Sequence, residues 1–415
     1  MTPIFTCGGE CGCVLGSGAS GHTLSGAAAT ISTSVKRTGD RSVRLNPTAT
    51  TAAWLSPANP SPATRHMVWR LYRRFDAHPA ANLMVSTAAN GSAARNLGLA
   101  YQSSDGKYYA GAATSAGASF VVGSSGITIP ANDGVWHQID VYVNASANPN
   151  TVDVKIDGQA LGQLSLAVVA GDLTDQRNGN TVSASYDYYD DDWILSGTAA
   201  DYPIGAGYVN HFVPTADGTH NVASSADFQR GNTAVDITNA TTTAWQLVDD
   251  VPLPSGAVDE ADNQRAVAPV NPTTDYVEGL FGPASGISTP TTAPRSVECL
   301  LAYHQIATQT GSMRVALNDN GTLGDVLNIS AQAGVVTYRY ARAHFATGPA
   351  GAWVIGGGGN GDFTDLRVRF FSADAAPDQC LDAIMLEAEF AEVAAGPRRV
   401  KPLFGNQAVN RAATF

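Results

Sequence analysis

Four aspartates, Asp187, Asp190, Asp191 and Asp192, stand within six positions of one another. Carboxylate oxygens at that density suit a hard cation such as Ca²⁺, with Asp190, Asp191 and Asp192 as its candidate ligands. No EF-hand-like spacing accompanies them, so the competing reading is one aspartate capping a turn and the rest solvated. A second carboxylate group, Glu387, Glu389 and Glu392, lies towards the C-terminal end. Two carboxylates on one strand face are what glycoside hydrolysis uses as nucleophile and acid. Alternation, however, sets Glu387 and Glu389 opposite Ile384, Leu386, Ala388 and Phe390. If the apolar set is core, the glutamates are a wet face and carry no catalysis.

Other reactive side chains lack partners at a useful spacing. Cys7, Cys11 and Cys13 with His22 depart from the paired C-x₂-C pattern of zinc sites, and small buried cysteines in a Gly-rich segment are expected instead. Cys299 and Cys380 fall on strands of one domain, and whether they pair is open. None of the eight histidines belongs to a recognisable nucleophile motif, so His137 reads as a strand position. The glycine run from Gly356 to Gly361 lacks the Lys-Ser/Thr of a phosphate loop and reads as a turn. Arg65, Arg70, Arg73 and Arg74 form a basic stripe for an anionic glycan or a neighbouring subunit, or simply a solvated face. Tyr108, Tyr109, Tyr186, Tyr188 and Tyr189 are candidates for stacking on sugar rings, or ordinary strand aromatics.

The elements that position these residues read as strands. Period-two alternation bounded by Gly, Asn, Asp and Pro recurs, and no long window shows a 3.6-residue period. Met67, Trp69 and Leu71 share one face while Arg70 and Tyr72 point the other way, predicting one core face and one wet face. Trp136, Ile139, Val141 and Val143, then Val152, Val154 and Ile156, predict a hairpin whose second strand ends in the turn Asp157-Gly158. A boundary falls at Tyr202-Pro203-Ile204-Gly205, and further strands follow at 297–306, 313–317, 335–345, 366–371 and 381–390. Asp192-Trp193-Ile194 and Asp382-Ala383-Ile384 are a weak internal echo, each closing one half of the chain.

Composition sets the outer bounds. At 415 residues the chain has room for two domains, and only 14% of residues are charged, with 42 glycines and 21 prolines favouring strands and turns. The net charge of −12 argues against a duplex nucleic-acid binder, which needs a concentrated basic face. No cationic leader and no run of about 18 apolar residues is present, so neither secretion nor membrane insertion is expected. Five cysteines are too few for a disulfide-built scaffold and fit synthesis in a reducing cytoplasm. Arg398, Arg399, Lys401 and Arg411, with no acid among them, form a basic arm that could order against an acidic neighbouring subunit.

Gly134-Val135-Trp136-His137-Gln138-Ile139, followed by Lys155-Ile156-Asp157-Gly158 and closing on Asp191-Asp192-Trp193-Ile194-Leu195, resembles the laminin-G and concanavalin-like jelly-roll family over residues 28–200. The Glu387-Ala388-Glu389-Phe390-Ala391-Glu392 stretch is similar to the Glu-x-Asp-x-x-Glu strand of jelly-roll glucanases, with Glu in place of the middle Asp. A further resemblance is to bacteriophage virion proteins. It rests on Phe5-Thr6-Cys7-Gly8-Gly9-Glu10, on Arg37-Thr38-Gly39-Asp40-Arg41-Ser42-Val43-Arg44-Leu45 and on the junction from Tyr202 to Val209 and Val213 to Asn221.

These resemblances imply an all-β chain of two tandem concanavalin-like jelly-roll sandwiches. The expected divisions are an N-terminal Gly/Cys-rich segment 1–27, a first domain 28–200, a linker 201–265, a second domain 266–396 and the basic arm 397–415. The implied function is a non-enzymatic structural protein on the virion surface, made in the host bacterial cytoplasm. A minor tail or tail-fibre component is favoured, with capsid decoration, a carbohydrate-binding adhesin and a glycan hydrolase as alternatives. Expected partners are further copies of the chain, as a trimer, other virion proteins and a host-surface glycan. No cofactor beyond Ca²⁺ is implied.

Overall fold

The computed structural model describes residues 3–8, 23–25, 28–48, 50–56, 64–92, 94–114, 119–180, 182–222, 229–230, 235–236, 238, 240–241, 243–248, 266–267, 275–284, 290–305, 312–319, 321–330, 339–354, 363, 365–372 and 379–392. Among these there is no α-helix, only the short 3-10 turns Ala199–Asp201 and Ala244–Leu247. Among the described residues no helix is long and apolar enough to cross a membrane.

Counting strands of four residues or more, the first half holds β1 (Pro3–Cys7), β2 (Ala29–Ser32), β3 (Ser42–Leu45), β4 (Ala53–Ser56), β5 (His66–Ala77), β6 (Leu83–Asn90), β7 (Arg95–Gln102), β8 (Lys107–Thr114), β9 (Trp136–Asn144), β10 (Asn150–Ile156), β11 (Leu173–Asn180) and β12 (Asp187–Ser196). They make two antiparallel sheets, ordered β10-β9-β5-β12-β3-β2 with β1 also on β12, and β8-β7-β6-β11-β4. Alternation explains the stacking. In β10 the even-numbered Val152, Val154 and Ile156 are buried while Thr151, Asp153 and Lys155 are half-exposed. Each such aliphatic contributes about 1.5–3 kcal/mol when removed from water. Trp69, Leu71, Phe75, Leu97, Leu99, Val141 and Trp193 complete a core between the two sheets. The β9–β10 hairpin is followed by a turn in which Asp157 and Gly158 both take positive φ, 51° and 79°, as a two-residue turn demands.

The second half holds β13 (Gly207–Asp217), β14 (Val277–Pro283), β15 (Pro294–Gln305), β16 (Ser312–Asp319), β17 (Thr322–Ser330), β18 (Arg339–Phe345), β19 (Leu366–Ser372) and β20 (Gln379–Ala391). Here one continuous antiparallel sheet, β17-β16-β19-β14-β13-β20-β15-β18, curls over its own core of Phe212, Phe281, Leu301, Leu317, Phe345, Phe370, Leu386 and Phe390. Each closing strand, β12 and β20, lies inside its sheet with neighbours on both edges.

Several sequence expectations change. Segment 201–265 is more than a linker: β13 lies in it and is an interior strand of the second sheet, between β20 and β14. The N-terminal segment contributes β1, paired along Leu195, Ile194 and Trp193. Cys299 and Cys380 do not pair. Cys299 stands opposite Leu386 and Cys380 opposite His304, which separates them by about 17 Å along the strands, far beyond the reach of a disulfide. Cys11, Cys13, His22, the Gly356–Gly361 run and the basic arm lie outside the described residues.

Candidate functional site

Strand β5 carries the site on the face expected to be wet. Met67, Trp69, Leu71 and Phe75 enter the first core, as alternation requires. On the opposite face Val68 packs with Ile194, Ile204, Tyr142 and Tyr202. Arg70 on that same face is fully buried, so it needs partners. Its Nη1 donates to Glu389 Oε1 at 2.9 Å and to Gly205 O at 3.2 Å, and its Nη2 donates to Asp192 O at 2.9 Å. Arg295 of β15 reaches the same Glu389 oxygen at 2.7 Å and donates to Ile204 O at 2.7 Å and Ala206 O at 2.8 Å. Two arginines from different sandwiches therefore share one carboxylate.

The backbone must come close for this to happen. Gly207 opens β13 beside the cluster, and a Cβ there would overlap Glu389 Oε1, Arg295 Nη2 and Arg70 Nη1. Burial raises the Glu389 carboxyl above its ordinary value, against the pull of Arg70 and Arg295. Burial likewise lowers the Arg295 guanidinium. Both shifts report charges held away from water, where truncating one partner is far costlier than replacing the whole set.

A second set of contacts runs from the loop before β3. The backbone N–H of Arg37 donates to Asp191 Oδ2 at 2.8 Å, and its Nη1 donates to Asp192 Oδ2 at 2.6 Å and Gly207 O at 3.0 Å. Its Nη2 reaches Glu392 at 2.9 Å, and the guanidinium lies 3.4 Å from the centre of the Tyr72 ring. Burial works to lower the Arg37 pKa, but Asp192, Tyr72 and Glu392 together outweigh it and the net shift is upward. Asp192 Oδ1 also accepts from Thr38 Oγ1 at 2.5 Å and from the Val209 N–H at 2.6 Å. This convergence depends on a bulge. The register of β12 against β5 slips between Asp191 and Ile194, and Asp192 takes a positive φ of 49°. Arg37 and Thr38 begin the Arg37 to Leu45 motif, whose Arg44 makes a two-pronged pair with Asp187 at 3.0 and 2.7 Å and whose Leu45 is core.

The candidate calcium ligands are engaged by protein donors in this structure. Both Asp190 oxygens accept from Arg73 at 2.6 Å, and Arg73 Nη1 crosses the core to Val85 O at 3.0 Å. Asp191 is taken by the Arg37 and Asp192 N–H groups, and Asp192 by Arg37, Thr38 and Val209. A cation would have to displace these donors. No group of three or more His, Cys, Asp or Glu side chains is placed to hold a metal among the described residues.

The candidate sugar-stacking tyrosines are all buried, whereas stacking needs an open ring face. Tyr108, Tyr186 and Tyr188 are core, with the Tyr108 and Tyr188 hydroxyls 3.2 Å apart and Tyr186 donating to Ala53 O at 2.7 Å. Burial pushes all three phenols up. Tyr109 is buried and bonds Asp105 at 2.5 Å, and Tyr189 is buried with the guanidiniums of Arg44 and Arg74 over its ring. The basic stripe is split: Arg70 and Arg73 are fully buried on opposite faces, while Arg65 and Arg74 pair with Asp172 and Asp76. His137 braces the hairpin turn, 2.7 Å from Asp157, and that hydrogen bond raises its pKa.

Glu387 and Glu389 are not a wet face either; both are 0% exposed. Sequence reading missed the row that Glu387 joins. Register sets His211, Glu387 and Glu298 side by side across β13, β20 and β15, and His344 of β18 stands 2.8 Å from Glu298. Carboxylates directly opposite on adjacent strands have the spacing of a glycosidase pair. Glu298 and Glu387 are sealed, at 1% and 0% exposure, which denies a substrate access in this structure. The joint had one sequence signal, an apolar Val68 and Tyr142 at outward parity, which implies a covered outer face.

No protein-family model and no curated protein matches the chain. Among solved structures it is similar to the N-terminal CBM22-1-CBM22-2 tandem domain from Paenibacillus barcinonensis Xyn10C, at 10% identity over 93% of this chain and 97% of that one, with a TM-score of 0.25. The cellulose induced protein Cip1 matches at 10% identity over 44% of this chain and 88% of its own, TM-score 0.32. The Emp46p carbohydrate recognition domain matches at 10% over 43% and 89%, TM-score 0.29. Likeness at this level concerns strand arrangement alone. The chain is an all-β protein of two sandwiches, and its own side chains must carry any statement about function.

Proposed function

We propose that this chain is a non-enzymatic structural protein of a bacteriophage virion, a minor tail or tail-fibre component that supplies two rigidly joined sandwiches for assembly. The observation that carries the structural role is the fully buried Arg70–Glu389–Arg295 cluster, which ties the two sandwiches through one shared carboxylate. A joint of this kind suits a part that transmits load and presents surfaces, because one carboxylate held by an arginine from each sandwich fixes a single relative geometry. The virion assignment rests on the resemblance of residues 5–10 and 37–45 to phage proteins, and the second motif supplies Arg37 and Thr38 to the joint.

Quantitative mass spectrometry and imaging of particles from the phage that encodes the chain test this reading. A few copies per particle at the tail are expected. Hundreds of copies over the shell would move the protein to capsid decoration, and absence from the particle would overturn the virion role. A glycan array with purified protein tests the adhesin alternative separately.

A further inference from the structure

The first sandwich carries a groove on the outer face of its second sheet, across β6, β7 and β8. Leu97, Leu99, Ala110 and Ala112 are core, so alternation turns Asn96, Gly98, Ala100, Gly111 and Ala113 outward. Small residues keep this face low. A Cβ on Gly111 would overlap the Ala100 methyl. Met84, Ala100 and Ala113 form the floor with Phe120 and Val122, which flank or belong to the two-residue strand Val121–Val122 paired with Ala112 and Gly111 of β8. The groove encloses about 130 Å³, lined chiefly by Asn82, Met84, Asn96, Thr114, Phe120 and Asn180. Register sets Met84 opposite Ala100 and Ala113 opposite Asn96, four residues or about 13 Å apart along β7. None of its described lining residues is charged.

We propose that this groove binds a neutral saccharide, with a ring face on Phe120 and hydroxyls on the amides of Asn96 and Asn82. Three observations select that ligand. First, the amides are held in place with capacity to spare. Asn82 Oδ1 accepts from the Ser103 N–H at 2.9 Å and the Ser103 hydroxyl at 3.1 Å, which fixes the amide and leaves its NH₂ end for a ligand. Asn180 Oδ1 accepts from the Val182 N–H at 2.6 Å, and its Nδ2 donates to Met84 O. Asn96 is half-buried, and among the described residues no hydrogen bond engages its amide, which offers a donor and an acceptor side by side to neighbouring hydroxyls. Second, Phe120 is half-buried and stacks on no other ring among the described residues, so it supplies an apolar face beside those polar groups. Third, the surroundings argue against other ligands. A phosphate or carboxylate would meet no cation in the lining. An extended peptide adds to a sheet edge, where backbone groups are open, whereas the floor here is the face of β6, β7 and β8, whose backbones pair with one another. The volume falls below the roughly 300–1,000 Å³ of a pocket that encloses a whole small molecule, so a sugar ring would lie across the groove with the rest of its chain in solvent. The inference goes beyond the assembly role proposed above.

The test titrates the full chain, labelled with carbon-13 at its Met and Ala methyl groups, with cellotriose, maltotriose, mannotriose and chitotriose in turn. At least one of these sugars should shift the Met84 and Ala113 methyl signals saturably. Asn96→Ala and, separately, Phe120→Ala should each raise the Kd for that sugar at least fivefold. Asn96→Ala removes no hydrogen bond seen within the described fold and keeps the test valid if Phe120→Ala disturbs the strand Val121–Val122. A capped neutral tetrapeptide of alanine and serine should leave both methyl signals in place. No shift with any of the four sugars, an unchanged Kd in Asn96→Ala, or a shift with the peptide in place of the sugars would each overturn the proposal. The joint would stand in every case, because Arg70 lies on the other sheet of the first sandwich.

Discussion

Arg70 and Glu389 are 319 residues apart in the chain and 2.9 Å apart in space, one projecting outward from the first sandwich and the other from the second. Both are fully buried, so their attraction is set against the cost of removing two ions from water. Arg295 and the carbonyls of Ile204, Gly205 and Ala206 add donors and acceptors on the same spot. The balance makes the joint intolerant of partial change.

Glu389→Gln should therefore cost about 3–5 kcal/mol, because it leaves Arg70 and Arg295 buried without a counter-charge. Replacing the set together, as Arg70→Met, Glu389→Leu and Arg295→Met, should recover most of that loss. Denaturant unfolding of the single and triple variants measures both. A single variant as stable as the parent would show that the cluster is hydrated.

Gly207→Ala adds only a methyl group, but it lands on three charged atoms. The expected result is a weakened joint with both cores intact. Calorimetry should show one unfolding transition in the parent and two in the variant. A single unchanged transition would mean that the two sandwiches are not held through this contact.

His211 is 1% exposed on β13, with Asp40 at 3.9 Å and Arg41 from the first sandwich and Glu387 opposite on β20. Burial lowers its pKa to about 4. A folded-state pKa below the unfolded one means stability that is fully present above about pH 6.5 and lost as pH falls towards 4. The loss attributable to this group is roughly 3 kcal/mol, from about 2.5 pH units at 1.36 kcal/mol each. Stability measured from pH 7 to 4 should decline less steeply in His211→Asn. Equal slopes would assign the acid sensitivity to other groups.

Asp190→Asn should destabilise the first sandwich by about 3–5 kcal/mol, since Arg73 would keep its full charge inside the core. Adding Ca²⁺ or a chelator to the parent should leave its melting midpoint unmoved, because protein donors already fill the Asp190, Asp191 and Asp192 oxygens. A calcium-dependent rise in the midpoint would mean that those hydrogen bonds exchange for a metal.

Much of the fold was readable along the chain. Met67, Trp69 and Leu71, and then Val152, Val154 and Ile156, alternate with polar neighbours, and a strand has only two faces, so core positions follow from parity. Asp157-Gly158 likewise names its own turn, because few residue pairs accept two positive φ angles. The site was not readable in the same way. Parity turns Arg70 and Glu389 outward and leaves the tyrosines open between core and surface, since it tells which face a side chain takes and says nothing of what covers that face.

By itself the amino-acid sequence determined that the chain would be β-sheet with two cores, because local alternation and turn chemistry act between near neighbours. Only the tertiary structure decided that the outward faces of β5 and β20 meet and that Asp192 swings onto the joint through a bulge. Burial of a charge depends on surfaces hundreds of residues away, and no local pattern encodes that distance.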